Sequence, residues 1–187
     1  AVTVKRVVNG LMSNHINDTY QVGQKIKVMG AMGTFTTRFD RNRTRQLVLI
    51  GGGSGITPLY SIIKSTLALE PKTKVLLIFA NKSSADIIFK EELVKLSKQF
   101  KNFNWINILE QDDEITPADY LGRPTESMLH SIIEQSNLSA QTHYFICGPE
   151  AMMKIIKDGL EQFGIRSEQI QIEKFVGNHL IENFNDS

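Results

Sequence analysis

From residue 46 onward, short apolar segments alternate with longer amphipathic ones, and no other feature of the sequence constrains the fold as strongly. The apolar segments have the length and composition of buried strands, and the others repeat apolar residues at helical spacing. The predicted strands are Gln46–Ile50, Lys74–Ala80, Asn104–Leu109, His143–Cys147 and Ile170–Phe175. The predicted helices are Leu59–Leu69, Ile87–Phe100, Ser127–Glu134 and Glu150–Phe163. This pattern predicts an α/β fold, a doubly wound five-stranded parallel sheet covered on both faces.

The first 45 residues follow a different pattern. Residues 1–8 and Lys25–Met29 alternate as strands do, and residues 30–45 mix glycine, threonine and arginine like turns. Residues 1–45 carry a net charge of +6 and the remainder −5, which indicates either two units with different roles or two solvated surfaces. We predict a small β unit in residues 1–45, an α/β domain in residues 46–175, and a linker or tail in residues 176–187. A strand that starts at the first residue indicates that the sequence is a fragment.

Composition excludes several classes of function. A net charge of +1 gives no reason to expect a nucleic-acid partner. The single cysteine, Cys147, excludes an internal disulfide framework and a four-cysteine iron–sulfur cluster within this chain. No apolar run reaches the roughly 18 residues of a membrane span, and the first residues lack the layout of a secretory signal. We therefore expect a cytoplasmic protein without a membrane partner. The four histidines have no metal-ligand spacing, so no metal site is predicted.

A glycine-rich segment, GGGSGITP at residues 51–58, directly follows the first predicted strand of the α/β domain. Glycines allow a sharp turn and close approach of a ligand to the backbone, and a helix start favours a phosphate group. The alternative is a plain turn, although four glycines in five residues carry a high entropic cost for that purpose alone. The segment lacks the Gly-Lys-Ser/Thr of a P-loop and the third glycine of the dehydrogenase fingerprint. The candidate phosphate-binding residues are Gly52, Gly53, Ser54, Gly55, Thr57 and Pro58.

Two further segments follow predicted strands and so are expected at the ligand-binding edge of the sheet. Asn81, Lys82 and Ser83 follow the second strand and suit an adenosine phosphate or a ribose, unless they are ordinary loop residues. The sequence Cys-Gly-Pro-Glu at residues 147–150 ends the fourth strand. A lone cysteine is most often a small buried apolar residue, so this position alone does not indicate a function.

Together, GGGSGITP, FANKSSADIIFKEEL, YFICGPEAMM and IEKF occur in an order and spacing that resemble the ferredoxin–NADP reductase superfamily, especially the reductase components of bacterial oxygenases. The resemblance implies that the glycine loop binds the pyrophosphate of NAD(P)H and that Asn81, Lys82 and Ser83 face its adenosine end. It further implies a nicotinamide pocket formed by Cys147, Gly148, Pro149 and Met152. Glu173 and Phe175 would approach the flavin, and Cys147 and Glu173 are the implied catalytic residues.

The resemblance extends to residues 1–45, which look like the later part of a flavin-binding β-barrel. It implies FAD contacts from Lys5, Gly10, Leu11, Met12 and Ser13. The Arg-x-Tyr-Ser motif that holds the flavin ring in this family is absent, as are the first barrel strands. We therefore expect this chain by itself to retain little or no FAD.

The implied activity is a flavoprotein reductase that passes a hydride from NAD(P)H to FAD and electrons to an acceptor. That acceptor is expected to be an oxygenase component or a ferredoxin-type 2Fe-2S domain separate from this chain. The residues do not discriminate NADH from NADPH. Two alternatives stay open: an isolated dinucleotide-binding fragment without activity of its own, and an unrelated doubly wound nucleotide-binding domain.

Overall fold

The computed structural model describes residues 1–30, 32–111 and 118–175. It divides the chain into two compact units, Ala1–Thr36 and Thr37–Ser187. This division falls ahead of the boundary predicted after residue 45. The linker or tail predicted for residues 176–187 lies outside the described residues.

The second unit is built on a six-stranded sheet in which every strand pair is parallel. Its strands are β1 (Gln46–Gly52), β2 (Lys74–Asn81), β3 (Phe103–Leu109), β4 (Tyr120–Leu121), β5 (His143–Cys147) and β6 (Ile170–Glu173). The chain also forms the α-helices α1 (Leu11–Thr19), α2 (Ile56–Leu69), α3 (Lys90–Gln99), α4 (Glu126–Gln135) and α5 (Glu150–Gln162), of which only α1 belongs to the first unit.

The strand order is β4-β3-β2-β1-β5-β6. The first strand, β1, lies inside the sheet. Strands β2, β3 and β4 follow one another outward on one side of it, and β5 and β6 are added on the other side. This reversal is the doubly wound arrangement predicted from the sequence, and it places a topological switch point between β1 and β5. The predicted parallel α/β sheet is confirmed, with β4 as a sixth strand that the sequence pattern did not indicate.

The sheet separates two layers of apolar side chains because successive residues of a strand point to opposite faces. One layer joins Val48, Ile50 and Ile146 of the central strands to Leu129 and Ile156 of α4 and α5. The opposite layer contains the alternate residues of the same strands, which are also fully buried. A β-carbon added at Gly51 would meet Leu59 of α2 and Phe79 of β2, so this second face is the one that α2 covers. Burial on both faces explains why the strands are almost continuously apolar.

Two helices begin at positions that helical periodicity did not predict. Helix α2 starts at Ile56, three residues early, because the glycine-rich segment itself forms a 3₁₀ turn at Gly53–Gly55 that leads into it. Helix α3 starts at Lys90, because Ser84–Asp86 form a separate 3₁₀ turn and Phe89 adopts a left-handed conformation with φ 61°.

The first unit contains no β-strand within its described residues, 1–30 and 32–36. The strands predicted for residues 1–8 and Lys25–Met29 are therefore wrong for this structure. Alternating apolar residues predict an extended chain, but a strand also needs a partner to accept and donate its backbone hydrogen bonds. The ordered element is instead helix α1, which follows a turn in which Gly10 N donates to Val7 O at 2.9 Å.

The segment that leads into the sheet is attached to the end of α2 by a buried ion pair. Glu70, whose side chain is fully buried, accepts hydrogen bonds from Arg45 Nε at 2.9 Å and Nη2 at 3.0 Å. It also accepts from Asp40 N at 2.9 Å and Thr73 Oγ1 at 2.8 Å. Burial alone would raise the pKa of Glu70, but these hydrogen bonds and the charge of Arg45 outweigh it and lower the pKa.

Candidate functional site

Two glycine-rich turns lie side by side at the carboxyl edge of the sheet. The first follows β1 and the second, Gly148-Pro149, follows β5. The two strands are hydrogen-bonded neighbours in which Gly51 pairs with Cys147. This is the switch point of the sheet, where open α/β folds bind their ligands. The structure thus brings together two of the segments that the sequence singled out, although they are far apart in the chain.

Close contact between the two turns explains their glycines. A β-carbon on Gly55 would overlap the carbonyl group of Cys147 and lie 2.7 Å from Gly148 N. A β-carbon on Gly148 would lie 2.9 Å from Gly52 N and 2.7 Å from Met152 Cε. Backbone therefore approaches backbone here at distances that no side chain permits.

Helix α2 begins at this edge without a protein group that neutralises its first turn. No side chain caps the helix start, and its first turn contains no acidic residue. Thr57 Oγ1 donates to Ser54 O at 3.0 Å and so stabilises the glycine-rich turn itself. Pro58 occupies the first turn, where its missing N–H costs no hydrogen bond. The positive end of the helix dipole is therefore available to an anion such as a phosphate.

Cys147 and Glu173 occupy paired positions at the ends of β5 and β6. The cysteine is fully buried, and burial, assisted by the negative charge of Glu173, raises the pKa of its thiol to about 12. Cys147 is consequently a neutral thiol at physiological pH, unsuited to act as a thiolate nucleophile. Glu173 is half-buried, and Phe175, two residues further, is 55% exposed.

The three residues that follow the second strand have different surroundings. Asn81 is buried, and neither atom of its side-chain amide has a hydrogen-bond partner. Lys82 is exposed, and its carbonyl oxygen accepts from Gln111 N at 2.8 Å. Ser83 donates its hydroxyl to Asp86 Oδ2 at 2.8 Å. Asn81 is therefore the member of this segment that carries buried polar atoms in need of a partner.

Four of the five residues expected to contact FAD, Gly10 to Ser13, lie at the start of α1 in the first unit. Gly10 is the residue before this helix, Leu11 and Met12 are its exposed first residues, and Lys5 precedes the turn. Ser13 Oγ accepts from Val7 N at 3.1 Å, and a β-carbon on Gly10 would lie 2.5 Å from that oxygen. Gly10 is thus needed for the serine to fold back over the turn.

Sequence reasoning missed Asn107, a buried residue of β3 whose amide is also unpartnered. The signal was present, since an asparagine in the middle of the apolar run NWINIL carries two polar atoms into a core. It also missed the stacked rings of Tyr60 and Phe89, whose centroids are 4.4 Å apart.

An open cavity of about 670 Å³ lies away from this edge. It is lined by the first residues of three strands, including Gln46, Lys74 and Phe103. Within the described ranges, no cluster of three acidic, histidine or cysteine residues could hold a metal ion. No helix in the same part of the chain is long and apolar enough to cross a membrane.

A doubly wound parallel sheet with a glycine-rich turn and an uncapped helix start at its switch point defines a nucleotide-binding α/β domain. Residues 49–158 match the family of oxidoreductase NAD-binding domains. This chain belongs to that family.

Comparison with curated proteins extends the similarity beyond this domain. The chain is 33% identical over 180 residues to the ferredoxin reductase component of 3-ketosteroid-9-alpha-monooxygenase from Mycobacterium tuberculosis, covering 94% of the chain and 45% of that protein. It is 29% identical over 179 residues to one of the subunits of 1,2-phenylacetyl-CoA epoxidase from Escherichia coli, covering 94% of the chain and 49% of that subunit. The chain therefore spans about half the length of these relatives. The resemblance to reductase components of oxygenases is confirmed.

Solved structures agree on the fold. The crystal structure of a ferredoxin NADP+ reductase from Neisseria gonorrhoeae superimposes with a TM-score of 0.68 at 23% identity. The match covers 90% of this chain and 71% of that one.

Proposed function

We propose that this chain forms the pyridine-nucleotide-binding part of a flavoprotein reductase that takes a hydride from NAD(P)H, transfers it to FAD, and delivers electrons to an acceptor. One observation carries the proposal: the turns that follow β1 and β5 meet backbone to backbone at the switch point, where a β-carbon on Gly55 would overlap the carbonyl group of Cys147. The similarity to reductase components of oxygenases supports the same activity.

The residues at this edge supply binding and orientation. The amides of the Gly52–Gly55 turn and the start of α2 hold the pyrophosphate, with Thr57 stabilising the turn. Asn81 and Lys82 meet the adenosine end. The nicotinamide ring lies toward Gly148, Pro149 and Met152. Cys147, uncharged and fully buried, provides an apolar wall that excludes solvent from the ring.

Glu173 is placed to hold a negative charge beside that wall, because it pairs with Cys147 across β5 and β6. A negative charge at this point would stabilise the positively charged nicotinamide of the oxidised coenzyme. Phe175, which is largely exposed, offers an aromatic surface close to the same end of β6. These roles make Cys147 and Glu173 the catalytic pair of the proposal.

The first unit is proposed to contribute to an FAD site. The amides at the start of α1, around Gly10, Leu11 and Met12, fit an anionic pyrophosphate because no acidic residue lies in the first turn. Ser13, whose hydroxyl group lies over the turn before α1, and Lys5, which precedes that turn in the chain, would add further contacts. A bound FAD would supply two-electron acceptance and one-electron release, which the side chains of this chain lack. The final acceptor is proposed to be an oxygenase component or a 2Fe-2S domain outside this chain.

Calorimetric titration of the purified chain with NADH, NADPH and ATP tests the proposal. We expect one of the two reduced coenzymes to bind at a single site, more tightly than ATP at the same ionic strength, because only the dinucleotide spans both turns. Absence of binding by both coenzymes would refute it. The visible absorbance of the same sample reports any FAD, of which we expect little. The ratio of the two dissociation constants identifies the preferred coenzyme.

A further inference from the structure

Two buried amides of the sheet have no hydrogen-bond partner. Asn81 at the end of β2 is 7% exposed and Asn107 in β3 is 4% exposed. Among the residues that the structure describes, none of the four nitrogen and oxygen atoms of these side-chain amides has a hydrogen-bond partner. Buried polar atoms are almost always paired, so each exception requires a physical explanation. Two unpaired amides in neighbouring strands point to one shared explanation.

The register of β2 and β3 places both amides on one face of the sheet. Asn81 pairs with Leu109 and Phe79 pairs with Asn107, so Asn81 and Asn107 are diagonal neighbours separated by one pleat. Phe79 points to the face covered by α2, since it approaches the position of a β-carbon on Gly51. The two amides therefore lie on the α2 side of the sheet and near the edge that carries the glycine-rich turn.

The backbone around these residues is engaged in hydrogen bonds of its own and leaves the amides with no local partner. Asn107 N donates to Asp119 Oδ2 at 2.7 Å, and Asn107 O accepts from Asp119 N at 2.9 Å. Asn81 O accepts from Glu110 N at 3.1 Å. Asp119 Oδ2 is thus directed to the backbone of Asn107. An apolar side chain would fill either position without leaving atoms unpaired. A polar group bound at the end of β2 would give Asn81 the partner it lacks, and Asn107 lies one pleat away from Asn81 on the same face.

We infer that Asn107 is a positioning residue for the adenosine half of the pyridine nucleotide, acting through Asn81. This inference rests on the proposed function. Asn81, at the strand end, is the residue that reaches the nucleotide, and Asn107, one pleat deeper, completes its hydrogen bonding and fixes its orientation in the bound state. An amide carries both a donor and an acceptor, which matches the hydroxyl groups of ribose and the edge of adenine. The nicotinamide half binds at the other turn and does not depend on this pair.

The test compares the native chain with Asn107→Leu. Asn107→Leu removes two unpaired polar atoms, so we expect its urea midpoint to equal or exceed that of the native chain. Its dissociation constant for ADP-ribose should rise about tenfold, the typical effect of losing one or two hydrogen bonds. Its affinity for nicotinamide mononucleotide should not change. A merely structural role would instead lower stability and leave the ratio of the two affinities unaltered.

Thr66→Val is the matched control. Thr66 is a fully buried residue of α2 whose hydroxyl is likewise unpartnered, but it lies about three helical turns from the glycine-rich end. We expect this variant to keep both stability and ADP-ribose affinity. Asn107→Thr, which retains a donor and an acceptor on a strand-compatible side chain, should restore most of the affinity. If Asn107→Leu does not fold, Asn107→Val provides the same comparison with a smaller side chain.

The outcomes separate this inference from the proposed function. Failure of the native chain to bind either coenzyme would overturn both. Coenzyme binding by the native chain, together with unchanged ADP-ribose affinity in Asn107→Leu or its Val substitute, would overturn only the role of Asn107. Equal losses for ADP-ribose and nicotinamide mononucleotide would also overturn it, since a general distortion of the sheet would then be the cause.

Discussion

Gly55→Ala tests the claim that backbone contact between the two glycine-rich turns defines the site. Gly55 has φ −61° and ψ −13°, an ordinary helical conformation that alanine also adopts. The substitution therefore introduces no backbone strain, and its whole cost comes from the space that one methyl group needs. That group would overlap the carbonyl of Cys147 and lie 2.7 Å from Gly148 N, whereas ordinary contact begins at 3.4 Å.

The loss of stability expected for Gly55→Ala depends on which atoms must move to make room for the methyl group. Both contacts are backbone atoms of the turn after β5, so the two turns must separate. Such overpacking costs about 1–3 kcal/mol. Replacing glycine with alanine restricts the unfolded chain and returns about 0.4–1 kcal/mol. We expect Gly55→Ala to lower the free energy of unfolding by about 1–2 kcal/mol, and the displaced turns to weaken coenzyme binding at least about tenfold.

Gly52→Ala is the matched control, measured in parallel by urea denaturation and by titration with the coenzyme that the native chain prefers. Its β-carbon would meet Met152 Sδ at 2.7 Å and Pro149 Cδ at 2.8 Å. The flexible thioether of Met152 can rotate away, whereas Pro149 Cδ belongs to a rigid ring, so this variant meets one unyielding contact where Gly55→Ala meets only backbone. We expect its loss of stability to be clearly smaller. The reasoning fails if Gly55→Ala unfolds at the same urea concentration as the native chain, or if Gly52→Ala is the more damaging change.

Two further predictions concern buried ionisable groups. Glu70→Gln leaves Arg45 without its charge partner and should cost about 3 kcal/mol at neutral pH, measured by urea denaturation. Because the pKa of Glu70 is lowered in the folded state, its stabilising effect exists above the pKa of an unfolded glutamate and disappears as the pH falls through the folded value. The native chain should therefore lose more stability than Glu70→Gln as the pH falls below the ordinary glutamate pKa of about 4.3; parallel pH curves would contradict this. The Cys147 thiol is buried and its pKa is raised to about 12. In mildly alkaline buffer, iodoacetamide should therefore alkylate it far more slowly in the folded chain than in the chain unfolded by urea. Equal rates of alkylation would contradict its burial.

Much of the fold could be predicted because its signals are local. Apolar runs such as KVLLIFA and HYFIC are long enough for strands and are bounded by polar or glycine residues. The repeated alternation then leaves few topologies besides a doubly wound parallel sheet. Strand β4 was missed because two residues carry no periodic pattern. The strands predicted in residues 1–8 and Lys25–Met29 failed because extended sequence does not supply a pairing partner.

The kinds of residue at the candidate site could be predicted from the sequence. The glycines after β1 indicated a phosphate contact from their residue types, and the polar residues after β2 fitted either a ligand contact or an ordinary loop. The Cys-Gly-Pro turn after β5 gained a ligand role only from the family resemblance. Asn107 was missed although its place in the apolar run NWINIL was a signal, because its face of the sheet and its nearness to Asn81 depend on the register of β2 and β3. The neutral state of Cys147 also depended on burial and on a neighbour, Glu173, that lies in a different strand.

The sequence by itself therefore determined most elements of the second unit, their parallel arrangement and the residue types at their ends, since these depend on residues a few positions apart. Only the tertiary structure decided which groups meet. The close approach of Gly55 to Gly148, the pairing of Cys147 with Glu173, and the shared face of Asn81 and Asn107 all arise from strand register. The apolar pattern of a strand restricts its register, but which residues pair across two strands also depends on packing between segments far apart in the chain.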